Sequence, residues 1–188
     1  NEFFDALPLR QFVRRDGRWH ERLVGLEKGE LAFGLAPTPS DLPGAPLALE
    51  DTVLERGEDG LALFADLAAR LARHGGGAVV IDYGSLTSGL GDTLQAVKAH
   101  KFADPFVDPG EADLTAHVDF TTLADAARPA GVTISRLATQ GDWLRRLGID
   151  ARLTSLTAAA PDRAAELESQ RDRLVEPGEM GELFKLIA

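Results

Sequence analysis

Cysteine is absent from the 188-residue sequence, and aromatic residues make up only 6% of it. Without cysteine the chain forms no disulfide, zinc–thiolate site or iron–sulfur cluster, and it carries no cysteine nucleophile. No apolar run approaches the roughly 20 residues that a membrane span needs. These absences favour a cytosolic setting and a core packed mainly from leucine, alanine and valine.

Positive charge is also scarce. Twenty Lys and Arg residues against 30 Asp and Glu residues give a formal net charge of −10. An acidic surface repels phosphate backbones, so we expect no sequence-independent binding to nucleic acid or to anionic membranes. The same charge is compatible with a basic peptide or protein as substrate.

Turn signals divide the first part of the chain into short strands. Asp16-Gly17 is a hairpin signal and Lys28-Gly29 is a weaker one. A proline-rich stretch at residues 37–46 predicts a surface loop. The pattern predicts an antiparallel meander with strands at residues 9–13, 18–26 and 30–35.

A helix followed by a buried strand comes next. Apolar residues recur at helical spacing from Leu61 to Ala72, and the glycines at 75–77 end that pattern. Residues 78–81 then form a continuous apolar run, which is typical of a strand buried on both faces. This combination predicts an α/β fold with a polar, glycine-rich loop after the strand, where open α/β sheets bind ligands.

Fewer signals mark the second half. Pro105 and Pro109 predict irregular structure over residues 101–111, and Asp119 is a plausible N-cap for a helix over residues 120–128. Gly148 would follow another helix as its C′ residue. The remaining elements predicted are strands at residues 132–137 and 183–187 and helices at residues 141–147 and 161–175.

The glycine loop matches no nucleotide motif. Residues 84–89 have the glycine spacing of a P-loop, but Leu90 stands where the phosphate-binding lysine is required. Gly89-Leu90-Gly91 begins a dinucleotide pattern, but Leu94 occupies the third glycine position. A flexible exit from the strand explains these glycines without a ligand.

Two groups of polar residues could carry chemistry. Asp113, Thr115, His117 and Asp119 alternate with apolar residues, so an extended segment would place them on one face. His117 could act there as a base, or the segment could simply be half buried; a metal site is less supported because no second histidine is near. Glu2 and Asp5 could bind a guanidinium or could be surface residues.

One family shares a set of motifs with this sequence, in the same order and over essentially the whole chain. The sequence resembles the MidA-like family of class I methyltransferases that use S-adenosylmethionine. Mitochondrial members of that family are complex I assembly factors that dimethylate a protein arginine. The motifs are Asn1-Glu2-Phe3-Phe4-Asp5-Ala6-Leu7-Pro8, Gln11-Phe12, Ile81-Asp82-Tyr83-Gly84, Gly91-Asp92-Thr93-Leu94-Gln95, Asp108-Pro109-Gly110, the run from Asp113 to Phe120, Gln140-Gly141, Leu147-Gly148 and Met180-Gly181-Glu182-Leu183-Phe184-Lys185.

The resemblance implies an α/β fold in which residues 1–188 are the C-terminal portion of one methyltransferase domain. Residues 1–8 would follow the fourth strand of a seven-stranded Rossmann-like sheet, and residues 78–81 would form the fifth. Residues 132–137 and 183–187 would be the sixth and seventh strands, with residues 9–50 as an inserted meander and proline-rich loop. The donor-binding N-terminal half would be supplied by the same protein or by a partner polypeptide.

The resemblance also implies a function. S-adenosylmethionine would be the cofactor, a protein arginine the substrate and a respiratory complex I subunit a possible partner, in the bacterial cytoplasm or the mitochondrial matrix. The rival hypothesis is a degenerate, methyltransferase-like assembly or binding factor. No metal is implied. In the enzyme, Asn1 would contact the cofactor; the residues expected to contact substrate or act in catalysis are Glu2, Phe3, Phe4, Asp5, Asp92, Gln95 and His117.

Overall fold

A computed structural model gives the architecture of residues 2–188, and Asn1 lies outside the described residues. The described chain forms three small β-sheets, and helices pack against the second of them. Its strands are β1 (Arg10–Arg15), β2 (Arg18–Glu27), β3 (Glu30–Leu35), β4 (Val53–Arg56), β5 (Val80–Ser85), β6 (Gln95–Lys98), β7 (Lys101–Ala103), β8 (Asp113–Thr115), β9 (Val118–Asp119), β10 (Ala138–Thr139) and β11 (Phe184–Ile187). Its α-helices are α1 (Glu58–His74), α2 (Phe120–Ala127), α3 (Gln140–Arg146), α4 (Ile149–Ala159), α5 (Ala164–Val175) and α6 (Met180–Leu183).

The first sheet is the predicted meander with one strand added. Its strands lie in the order β3-β2-β1-β4, all antiparallel. Asp16-Gly17 and Lys28-Gly29 both have positive φ at each residue, the backbone of a tight hairpin turn. Phe12, Trp19 and Leu54 form its small core. Because β4 pairs with β1, this sheet extends beyond the predicted boundary at residue 50.

The second sheet holds the main core. Its order is β10-β11-β5-β9, with β9 parallel to β5 and the other pairs antiparallel. Helices α1 and α2 contact each other beside β5, and Phe64 and Phe120 join the core there. The apolar spacing predicted α1 itself. Gly84 is required because a Cβ there would lie 2.1 Å from the Val118 carbonyl oxygen.

The third sheet corrects the prediction of irregular structure for residues 101–103, whereas residues 104–111 form turns and bends as predicted. β7 pairs with β6 in a hairpin, and β8 pairs with the other edge of β6. The turn is Ala99-His100, whose φ values of 52° and 61° are those of a type I′ turn. Such turns are usually marked by Asn-Gly or Asp-Gly, so this one left no signal in the sequence.

The predicted strand at residues 132–137 is wrong, and the strand begins only at Ala138. In the observed register Ala138 lies opposite Leu186 and Thr139 opposite Lys185. Before Ala138 this register is not kept: the Ser135 N–H donates to the Ala188 carbonyl oxygen at 2.6 Å, one residue out of step with the β10 pairs. The apolar alternation that suggested a strand instead packs Val132, Ile134 and Leu137 against the core.

The helical part near the C-terminus contains two helices that were not predicted, α4 and the short α6. Gly148, with φ of 89°, ends α3 as expected, but α4 begins at the next residue. None of the α4 residues is buried, so no apolar periodicity marked it. Pro161 lies in a 3₁₀ turn that leads into α5, and the final strand β11 matches its prediction to within one residue. Across residues 2–188 no helix is both long and apolar enough to cross a membrane.

Candidate active site

A buried carboxylate within β5 organises the first described residues. Asp82 is fully buried, and its Oδ2 accepts hydrogen bonds from the backbone N–H groups of Phe3 (3.1 Å), Phe4 (2.9 Å) and Asp5 (3.3 Å). Its Oδ1 accepts from the N–H of Tyr83 at 2.9 Å. Several N–H groups converging on one anion fix the backbone around it. Asp82 therefore holds the turn that carries four of the predicted site residues, Glu2, Phe3, Phe4 and Asp5.

Glu2 lies beside the same strand. Its backbone N–H donates to the carbonyl oxygen of Ile81 at 3.2 Å, and its φ of 50° is unusual for a residue other than glycine. Its side chain is exposed. Positive φ outside glycine persists where surrounding contacts impose it, and such sites cluster at ligand-binding positions.

Asp5 is the most unusual carboxyl group of the site. It is only 5% exposed, and its Oδ1 has no hydrogen-bond partner within residues 2–188. Burial, followed by the negative charge of Asp82, raises the pKa of Asp5 from 3.8 to about 6. The charge of Glu2 and a hydrogen bond to Asp82 add smaller increases, whereas a hydrogen bond from the Ala6 N–H lowers the pKa. Burial, followed by the charges of Glu2, Asp5 and Asp82, also raises the pKa of Tyr83.

Phe3 and Phe4 lie at different depths. Phe4 packs edge-on against Phe64 of α1, with ring centroids 5.8 Å apart, so it anchors the turn to the core. Phe3 contacts Phe4 at 5.4 Å and remains half exposed. Of the two, Phe3 is the one free to contact a ligand.

His117 is brought next to this turn by the segment between β8 and β9. The Ala116 N–H donates to the Asp5 carbonyl oxygen at 2.9 Å, and Val118 pairs with Gly84. The His117 N–H donates to Thr93 Oγ1 at 2.9 Å, and its side chain is exposed. The structure therefore places His117 between the turn and the loop that contains Thr93.

Asp92 and Gln95 lie on that loop and on β6, but their polar groups have partners within the chain. Arg22 Nη1 donates to Asp92 Oδ2 at 2.7 Å, and Gln11 Nε2 donates to Asp92 Oδ1 at 2.9 Å. Gln95 Nε2 donates to Thr115 Oγ1 at 3.1 Å. Both side chains hold neighbouring elements together in this structure, and their contact with a substrate stays a prediction.

Metal ligation finds no support among the described residues. In residues 2–188 no three histidine or acidic side chains form a group that could hold a metal ion. Asp119, a candidate partner of His117, instead caps α2: its Oδ1 accepts from the N–H groups of Thr121 (2.9 Å) and Thr122 (3.0 Å). This confirms the predicted N-cap.

Sequence reasoning assigned no role to Asp82, Glu55 or Thr93. Asp82 had a detectable signal, since a charged residue that ends an apolar strand must find partners when buried. Glu55 and Thr93 had none, because their contacts join segments 38 residues apart.

Comparisons with known proteins identify the family and the fold. The family described as "Putative S-adenosyl-L-methionine-dependent methyltransferase" matches residues 1–137. The chain belongs to this family. A relative named protein arginine methyltransferase NDUFAF7 homolog, mitochondrial, from Drosophila melanogaster is 35% identical over 100% of this chain. The human protein arginine methyltransferase NDUFAF7, mitochondrial, is 33% identical over the same share.

Two crystal structures share the fold of this family member. A Burkholderia thailandensis protein described as a "likely methyl transferase", bound to S-adenosyl-homocysteine, has a TM-score of 0.86 and 30% identity over 100% of this chain and 51% of its own. A native structure from the same organism has a TM-score of 0.87. The chain thus has the α/β fold of these structures. It spans about half of their length and 45% of the Drosophila relative.

Proposed function

We propose that this chain is the substrate-side half of a class I methyltransferase that methylates an arginine side chain of a protein. The observation that carries the proposal is the carboxyl group of Asp5, buried with one oxygen unpartnered among the described residues, close to Asp82 and Glu2. A guanidinium offers five N–H donors and a fixed positive charge, so it suits such a group. Relatives named protein arginine methyltransferases support the same substrate class.

The strand pairing supports the expected place of this chain in a seven-stranded sheet. We assign β5 as the fifth strand, and β10 and β11 as the sixth and seventh, since β11 lies antiparallel between β10 and β5. The bond from the Glu2 N–H to Ile81 puts the first described residues beside β5. That position is expected for residues that follow a fourth strand.

S-adenosylmethionine supplies the methyl group when it is bound. The described residues fit only part of such a site: residues 84–91 lead into β6 rather than into a helix, so they offer no helix N-terminus to a cofactor. We assign the remaining contacts to the part of the longer relatives that this chain does not match. Asn1, the residue expected to contact the donor, precedes Glu2 directly.

The residues of this chain bind and orient the arginine. Glu2 and Asp5 hold the guanidinium, and Phe3 covers it from the solvent side. The guanidinium charge favours the ionised form of Asp5, so below about pH 6, where Asp5 binds a proton, substrate binding releases that proton. His117 accepts the proton that the nitrogen gives up after methylation.

Glu2→Gln in the full-length protein tests the proposal. We expect turnover on an arginine-containing protein, followed by mass spectrometry of methylarginine, to fall about a hundredfold. Calorimetric titration should show donor binding within twofold of the wild type. Glu30→Gln, on exposed β3, is the matched control and should leave both unchanged.

Two outcomes would count against the proposal. Equal losses of turnover and donor binding in Glu2→Gln would contradict the guanidinium-binding role. A wild-type protein that binds the donor but methylates no arginine would favour the degenerate binding factor instead.

The setting follows from the same relatives. The proteins named NDUFAF7 are called mitochondrial, so for a eukaryotic protein we propose the mitochondrial matrix. On the family resemblance we propose a respiratory complex I subunit as the protein substrate. For a bacterial protein we propose the cytoplasm.

A further inference from the structure

A carboxylate of the first sheet reaches toward the candidate site. Glu55 lies on β4, opposite Gln11 of β1. Its Oε1 accepts from Gln11 Nε2 at 2.7 Å and from the Thr93 N–H at 3.0 Å, and its Oε2 accepts from the Thr93 hydroxyl at 2.6 Å. Both carboxylate oxygens of Glu55 therefore accept hydrogen bonds, and two of the three bonds come from Thr93 in the loop before β6.

The direction of these bonds is fixed by chemistry. An ionised carboxylate only accepts, so the Thr93 hydroxyl must donate its single proton to Glu55. The lone pairs of Thr93 Oγ1 then remain to accept the His117 N–H at 2.9 Å. The result is a series of two hydrogen bonds with a fixed direction: the His117 N–H donates to Thr93 Oγ1, and the Thr93 hydroxyl donates to Glu55. A hydroxyl bound to a charged acceptor at 2.6 Å is a strong link in such a chain.

Three successive residues around His117 are tied to three different parts of the molecule. Ala116 is bound to the Asp5 carbonyl oxygen, His117 to Thr93, and Val118 to Gly84 of β5. Of these three contacts, only the hydrogen bond from His117 to Thr93 depends on a side chain. Loss of the hydrogen bond from His117 would free the backbone at a residue whose side chain is exposed and whose neighbour Ala116 is bonded to the turn at Asp5.

The surroundings of Glu55 favour a rigid junction. Gln11 is 5% exposed, and its amide donates to both Glu55 and Asp92 while its Oε1 accepts from Arg22 Nη1 at 2.9 Å. Each of these polar groups has a partner, and fully satisfied networks fix geometry. The first sheet is therefore joined by hydrogen bonds to the loop that contains Asp92 and Thr93.

We propose that Thr93 and Glu55 are positioning residues for methyl transfer, because they hold the backbone of His117 beside the Glu2–Asp5 carboxyl groups. The inference rests on the proposed function. It assigns the first sheet a part in the reaction, since Glu55 belongs to that sheet and acts on the site only through Thr93.

The test uses the full-length protein with Thr93→Val, which keeps the branched shape and removes the acceptor. We expect kcat to fall roughly ten- to a hundredfold, since a small misplacement of a reacting group has such an effect. The KM for S-adenosylmethionine should stay within about twofold of the wild type. Thr93→Ser restores the hydroxyl and should recover most of kcat, whereas Thr154→Val, on the exposed face of α4, is the matched control and should change neither value.

Amide hydrogen exchange of the peptide that contains His117 gives a readout besides activity. We expect faster exchange at His117 in Thr93→Val than in the wild type or Thr93→Ser. Wild-type kcat in Thr93→Val, or unchanged exchange, would overturn the inference; so would equal losses in the valine and serine variants. A wild type that transfers no methyl group would instead refute the proposed function, while the exchange data still decide whether Thr93 holds His117.

Discussion

The turn at residues 2–5 and the junction around Glu55 are both built on carboxylates, but they differ in what neutralises them. At the junction, Asp92 pairs with Arg22, and Glu55 receives three hydrogen bonds. At the turn, no Arg or Lys of residues 2–188 forms an ion pair with Glu2 or Asp5. The difference indicates that the junction is complete as it stands, whereas the turn has capacity for a cation.

The largest effect should come from breaking the turn. Asp82→Ala removes the acceptor of four backbone N–H groups. We expect the free energy of unfolding of the full-length protein to fall by about 3 kcal/mol or more, because buried donors would lose their partner. Denaturant titration measures this. Asp82→Asn keeps an acceptor oxygen and should lose clearly less; equal losses would contradict the role of the accepted bonds.

Titration of Asp5 should have the next largest effect. Its folded pKa of about 6 exceeds the unfolded value of 3.8, so the native state binds the proton more tightly. The contribution of Asp5 to the free energy of unfolding therefore falls by on the order of 2 kcal/mol as pH rises from about 4 to 6. Above pH 6 this contribution no longer changes with pH. Compared with wild type, Asp5→Asn should lose this pH dependence and be more stable at pH 7 but less active. An identical pH profile in both proteins would show that Asp5 titrates normally.

Binding of a peptide with one arginine would sharpen the comparison further. The guanidinium stays charged at all pH values used, whereas Asp5 becomes ionised near pH 6. Affinity for the full-length protein should therefore rise about tenfold between pH 5 and pH 7. At pH 5, the binding enthalpy measured by calorimetry should differ between two buffers of different ionisation enthalpy, because Asp5 releases a proton when the peptide binds. A lysine-free peptide without arginine serves as control, and a flat profile for the arginine peptide would remove Asp5 from the binding site.

The smallest effect is expected at the junction. Arg22→Met removes the ion pair with Asp92 and the contact of the guanidinium with the Phe33 ring, 4.4 Å from its centroid. We expect a loss of about 1 kcal/mol in the free energy of unfolding and a modest change in turnover. Arg128→Met removes an exposed pair with Asp125 and should change stability by less than about 0.5 kcal/mol. Equal losses in the two variants would mean that the junction is no more than a surface contact.

Much of the fold could be predicted because its signals are local. The glycines after α1, the turn at Asp16-Gly17 and the N-cap at Asp119 each act within a few residues, and all three are confirmed. The predicted strand at residues 132–137 failed because pairing with β11 begins only at Ala138, and local alternation does not report which residues a distant strand pairs with. The hairpin at Ala99-His100 was missed because its turn uses residues that rarely adopt positive φ.

The sequence by itself determined which residue types are available: no cysteine, an excess of carboxylates, an apolar run followed directly by Asp82, and motifs that identify the family. It could not decide which carboxylates are neutralised. Tertiary structure decided that, because Arg22 and Thr93 meet Asp92 and Glu55 across 70 and 38 residues of chain. The same long-range packing buries Asp5 against Asp82, and the energy of a charge depends on its surroundings rather than on its neighbours in sequence.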